Sequence, residues 1–166
     1  MKTLVFAEKP SVGKDIGRIL GATRRGEGFL EGNDYIVTWG FGHLVALGHP
    51  EEQNPAWKKW SLETLPMLPK DWKLMVLPSS KQQFDGVARL FNRPDVDMII
   101  NAADAGREGE LIFRLVYQHA GCNKPFKRLW ISSMTDEAIK SGFEDLRPGE
   151  KYDPLAKAAV CRSRAD

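Results

Sequence analysis

Residues 104–110 read DAGREGE, which crowds three carboxylates (Asp104, Glu108, Glu110), one cation (Arg107) and two glycines into seven positions. Two kinds of chemistry suit such a stretch behind the apolar run VDMII. One is a solvated helix start, where Glu108 and Glu110 complement the positive end of the helix dipole and Arg107 pairs with them. The other is a site for Mg²⁺, a hard cation that takes oxygen ligands and keeps several waters. In that case Asp104 ends a strand and Glu108 sits in the first turn of the next helix, with Gly106 and Gly109 permitting the tight turn between them. A further acid, Glu8, followed by Lys9, closes a second apolar run, TLVFA. Acids delivered by two strand ends favour the site, because open α/β sheets bind ligands beyond the carboxyl ends of their strands.

Two other stretches imitate phosphate loops and fail. EKPSVGKD has Glu8 where GxxxxGK[ST] needs glycine and Asp15 where it needs Ser or Thr, and GFGHLV has Val45 at the third glycine of GxGxxG. No nucleotide cofactor is expected. His43, inside GFGHLV, is expected to be a satisfied structural histidine rather than a cleft residue.

The elements that must position these residues follow from composition and pattern. At 166 residues, 42% apolar and 28% charged, the chain suits one compact unit. A net charge of +2 neither requires nor excludes a nucleic-acid partner. Cys122 and Cys161 are far apart, and MKTLVFAEK is too charged and short for a signal peptide, so a cytoplasmic location without a membrane span is expected.

Thr3–Ala7 reads as a strand. Val12, Ile16, Ile19 and Leu20 predict a helix behind it, with Ser11 as N-cap. FLEGNDYIVTW predicts a hairpin flanking the sheet, and residues 48–73, with Trp57, Trp60 and Trp72, an irregular excursion containing one short helix. Then come a strand at LMVL (74–77), a helix through Phe84, Val87, Leu90 and Phe91, and the strand 96–100. Next are a helix ending at Gly121, the run FKRLWIS and a helix led by Thr135. Strands alternating with helices predict an α/β fold, a mainly parallel sheet flanked by helices, plus the β-hairpin excursion.

The stretches LVFAEKPSVGKDI, YIVTWGFGHLVAL, NAADAGREGELI, KRLWISSMTDEAI and CRSRAD, in that order, closely resemble the TOPRIM domain of type IA DNA topoisomerases, over essentially the whole chain. The resemblance implies a Rossmann-like TOPRIM catalytic metal-binding domain over residues 1–150. Residues 151–166 look like the opening of the next topoisomerase domain, broken off before it can pack. Mg²⁺ is implied as cofactor, held by Glu8, Asp104 and Glu108. Single-stranded or negatively supercoiled DNA is implied as the partner of the full-length enzyme. Glu8 becomes the general acid/base for the 3′-hydroxyl, and Lys9 steadies the scissile phosphate. Arg107, Arg162 and Arg164 become DNA contacts, with a structural ion pair the alternative for Arg107 and a solvated helix face for the other two.

The middle acid of the family's DxDxE motif is missing here, replaced by Gly106; compensation by Glu110 or by water stays open. Tyr35, Tyr117 and Tyr152 match no nucleophile motif, so the chain alone is expected to be inactive. Two other functions remain open: a stand-alone TOPRIM metal-dependent nuclease or hydrolase, and a noncatalytic nucleic-acid-binding module.

Overall fold

A computed structural model describes all residues, 1–166. Strand β1 (Lys2–Ala7) carries four consecutive buried residues, Leu4 to Ala7, and lies at the centre of the sheet. Helix α1 (Pro10–Leu20) starts two residues earlier than Ser11 as N-cap would set it. Pro10 occupies the first turn and Lys9 is the extended N-cap. Proline suits that place because its fixed φ is already helical and its missing N–H would have had no partner.

The hairpin forms as predicted, β3 (Phe29–Glu31) against β4 (Tyr35–Trp39), and an unpredicted strand, β2 (Arg24–Gly26), extends it. It does more than flank the sheet. Strand β4 runs parallel to β1, with Thr3 opposite Tyr35 and Ala7 opposite Trp39, and its residues 36–39 are all buried. The apolar stretch IVTW suits a position covered on both faces.

Strand β5 (Val45–Leu47) leads into the excursion, which holds the short helix α2 (Pro50–Gln53) and two 3₁₀ turns. LMVL forms β6 (Leu74–Val76), but its partner is β5, antiparallel, in a two-stranded ribbon apart from the main sheet. Helix α3 (Lys81–Phe91), β7 (Val96–Ala102) and α4 (Arg107–His119) follow in the predicted order. The chain continues through β8 (Phe126–Arg128), α5 (Asp136–Glu144), β9 (Arg147–Pro148) and α6 (Asp153–Ala165). Thr135 caps α5 by accepting the Ala138 N–H at 3.2 Å, as its position before Asp136 and Glu137 predicts.

The main sheet has the order β2-β3-β4-β1-β7-β8-β9, parallel from β4 through β8. Strand alternation splits the core between its faces. Leu4 and Phe6 pack with Phe84, Phe91 and Phe113 on the side of α3 and α4, and Val5 and Ala7 with Ile16 and Ile139 on the side of α1 and α5. Phe6 meets Phe91 edge-on at 6.1 Å, and each buried aromatic side chain contributes about 1.5–3 kcal/mol through burial.

Helix α6 does not stop short of packing. It lies against α4 with Ala156 and Ala159 buried, and Asp153 at its start accepts from Arg114 of α4 at 2.8 Å. No helix is long and apolar enough to cross a membrane.

Candidate active site

The parallel register of β1 and β7 sets Ala7 opposite Ala102, so the chain leaves both strands at the same edge. Glu8 emerges from one strand, and Ala103 and Asp104 from the other. Glu8 is only 8% exposed, and its Oε1 is buried without a hydrogen-bond partner. Burial is the first cause that raises its pKa. The negative charge and close approach of the Asp104 carboxyl raise it further, while the backbone of Asp104 and then the charge of Lys9 act in the opposite direction. Two carboxyl groups so placed hold a proton between them or attract a cation.

At the position of the missing middle acid, the turn after Asp104 requires glycine. Gly106 has φ 151° and ψ 177°, a conformation essentially reserved for glycine. Gly109 is needed for a different reason, because any Cβ at that position would run into the backbone of Asp104. The first turn of α4 is therefore seated directly on the Asp104 turn, and Glu110 N–H donates to the Gly106 carbonyl at 3.1 Å.

Residues two apart on a helix point about 200° away from each other, which separates the two acids of α4. Glu108 is exposed in the cleft and contacts His43 Nε2. Glu110 is fully buried, with Oε1 2.8 Å from Arg128 Nε and Oε2 3.1 Å from Arg114 Nε. Glu110 is thus committed to the interior and does not replace the acid lost at Gly106. His43, expected to be structural, faces the cleft instead: its Nδ1 lies 3.3 Å from the Val45 carbonyl and the other ring nitrogen meets Glu108.

These groups line a cleft of about 840 Å³, in which Glu8, Asp104 and Glu108 face Arg107 and, from α6, Arg162. The acids flanking Arg107 are engaged elsewhere, which leaves it exposed at the rim instead of in the ion pair that was its alternative. Arg164 is not brought to the cleft, because its guanidinium carbon lies 5.2 Å from the Trp72 ring centroid, against the excursion. Lys9 is exposed beside Glu8 but outside the cleft lining. Asn101 and Arg128, both fully buried beneath the Asp104 turn, escaped the sequence reading, although a charged residue at an inward position of a strand was the available signal.

A divalent cation fits this donor set in a restricted way. No group of three His, Cys, Asp or Glu side chains is close enough together to hold a metal ion, so Glu8, Asp104 and Glu108 do not form a closed cage. The unpartnered buried oxygen of Glu8 next to Asp104 supplies two carboxylates, the number with which Mg²⁺-type sites commonly hold an ion that keeps its waters.

A parallel α/β sheet with acids gathered at the ends of two adjacent strands is the arrangement of a Toprim domain. The Toprim domain family model matches residues 3–134, and the chain belongs to that family, whose domains generally bind metal. Over 165 residues, 99% of this chain, it is 54% identical to DNA topoisomerase 3 of Bacillus anthracis and 50% identical to that of Bacillus subtilis (strain 168). The chain spans about 23% of the length of these relatives. Full-length topoisomerase I from Thermotoga maritima shares the fold at a TM-score of 0.60 and 20% identity, over 96% of this chain and 23% of that one.

Proposed function

We propose that the chain is the catalytic metal-binding domain of a DNA topoisomerase 3 that, with Mg²⁺, cleaves and religates single-stranded DNA and so changes the topology of negatively supercoiled DNA. The observation that carries this reading is the buried Glu8 carboxyl, its Oε1 unpartnered, beside Asp104 in a cleft also lined by Arg107 and Arg162. Asp104 would be the principal Mg²⁺ ligand, with Glu8 and Glu108 at hand in the same cleft, and the ion would supply charge stabilisation to phosphate oxygens. Glu8 gives a proton to the departing 3′-oxygen and takes it back on religation, a role favoured by burial and the charge of Asp104, which raise its pKa in the metal-free cleft. Arg107 and Arg162 hold neighbouring phosphates, and Lys9, one residue beyond Glu8, steadies the scissile one.

The nucleophilic tyrosine belongs to another part of a longer protein, since the chain's own tyrosines are engaged elsewhere. Tyr35 packs on Phe143, Tyr117 donates to the Lys124 carbonyl at 2.6 Å, and Tyr152 stacks on Trp130. Cys122 and Cys161 are free thiols, in keeping with a cytoplasmic location.

The test grafts this chain in place of the matching segment of the Bacillus subtilis relative. The chimera should relax negatively supercoiled DNA with Mg²⁺, and Glu8→Gln should lower cleavage and religation by about 10²-fold to 10⁴-fold. A folded but inactive chimera would sink the reading. Mg²⁺-dependent cutting of oligonucleotides by the 166-residue chain alone would replace it with the nuclease.

A further inference from the structure

Arg128 is the largest fully buried side chain in the molecule, at 0% exposure. Its guanidinium does more than pair with Glu110. Nη2 donates to the Asp104 carbonyl at 2.8 Å, and Nη1 donates to the Ala103 carbonyl and lies 3.3 Å and 3.2 Å from those of Asn101 and Leu129. Nε lies 2.8 Å from Glu110 Oε1 without pointing its N–H along that line, so this contact is a charge pair more than a hydrogen bond. Asn101 holds the same turn by its amide side, accepting from Ala103 N–H at 3.1 Å and donating to Glu110 at 3.0 Å.

A buried ion pair is weak evidence for stability, because desolvation offsets most of its attraction. The direction of the donors is more informative. A planar fork that reaches successive carbonyls of a strand end and its turn fixes their orientation, which a lysine ammonium cannot reproduce. Those carbonyls belong to the two residues that carry the chain from β7 to the Asp104 side chain.

We propose that Arg128, neutralised by Glu110 and assisted by Asn101, is a positioning residue that sets the Asp104 carboxylate against Glu8. The proposal rests on the reading of Asp104 as part of the metal site. Loosening the fork lets the turn wander while the sheet beneath it stays intact, and a misplacement on the order of 1 Å is enough to cost about 10²-fold in a reaction.

The test compares the parent chain with Arg128→Lys by amide hydrogen exchange without metal, then by NMR titration with Mg²⁺. In Arg128→Lys, exchange at Ala103 and Glu110 should accelerate roughly tenfold, the scale of one lost hydrogen bond, while Val5 and Ile100 in the sheet stay near their parent rates. The Mg²⁺ response at Glu8 and Asp104 should move to higher concentration. Uniform acceleration across the sheet would reduce Arg128 to a structural residue, and unchanged exchange at the turn would dismiss it; either overturns the proposal. If Arg128→Lys does not fold, Asn101→Ser removes one anchor without touching charge and should give the same local pattern. A parent chain that does not respond to Mg²⁺ counts against the metal site alone, because the exchange comparison still decides the role of Arg128.

Discussion

Replacing Gly109 with alanine should destabilise the chain, although the same change elsewhere in a helix does the reverse. Inside a helix, alanine is favoured over glycine by roughly 0.5–1 kcal/mol. Gly86 in α3 shows that case, since a Cβ there would meet nothing within 4 Å, and Gly86→Ala should stabilise by about that amount. At Gly109 the new Cβ would sit far inside contact distance of the Asp104 carbonyl oxygen, and within 2.9 Å and 3.0 Å of the Asp104 carbonyl carbon and nitrogen. Those are backbone atoms and cannot rotate away. Restoring an ordinary separation requires the turn to move on the order of 1 Å, and overpacking of this kind costs about 1–3 kcal/mol, more than the helix propensity returns. Thermal unfolding should therefore fall by several degrees for Gly109→Ala and rise slightly for Gly86→Ala. An Mg²⁺ titration of Gly109→Ala followed by NMR should show a weakened response at Asp104. Equal unfolding temperatures and an unchanged metal response would refute the close seating of α4 on the turn.

Gly106→Asp restores the missing acid on a backbone that aspartate adopts only at a cost of about 1–3 kcal/mol; it should lower stability in urea unfolding, and a variant as stable as the parent would show that the turn relaxes freely. In metal-free buffer, Glu8→Gln should be more stable than the parent at neutral pH. The raised pKa of Glu8 means that its favourable contribution is complete below the ordinary value of 4.5 and is lost as pH rises through the folded value, so the advantage of Gln should grow across that window. Glu31 behaves oppositely: Arg24 first, then Lys2 and Arg93, hold its pKa at about 2. Glu31→Gln should cost roughly 1–3 kcal/mol at neutral pH, and the loss should fade as pH falls from 4.5 through about 2, read from urea midpoints.

Local signals carried most of the secondary structure. The apolar runs at 3–7 and 96–100, the spacing in α3 and Thr135 as the cap of α5 were readable because their causes lie within a few residues. Pairing was less legible. YIVTW reads equally well as the outer arm of a hairpin or as the parallel neighbour of β1, and nothing in LMVL names β5 as its partner, because parallel neighbours and ribbons are chosen by long-range packing. The same division holds in the site. Glu8 and Asp104 could be placed at strand ends from their order alone, whereas the burial of Glu110 depends on Arg128, eighteen residues later. Helix geometry separates Glu108 from Glu110, but their spacing alone leaves open which of them faces inward. The cleft-facing ring of His43 depends on the loop that leads into β5, for which periodicity offers no guide.

The outermost strands of the main sheet have a bearing on self-association. An open sheet offers its unpaired edge to other chains, and long, flat, apolar edges invite further growth. Here one edge is β2, three exposed residues of which two are Arg24 and Arg25. The other is β9, only two residues long, and its Pro148 has no N–H to donate. An incoming strand meets a pair of cations at one end of the sheet and a short, donor-poor stub at the other. Two adjacent parallel strands, β1 and β7, therefore carry acids to one shared edge of the molecule while the outer strands of the sheet disfavour pairing with copies of the chain.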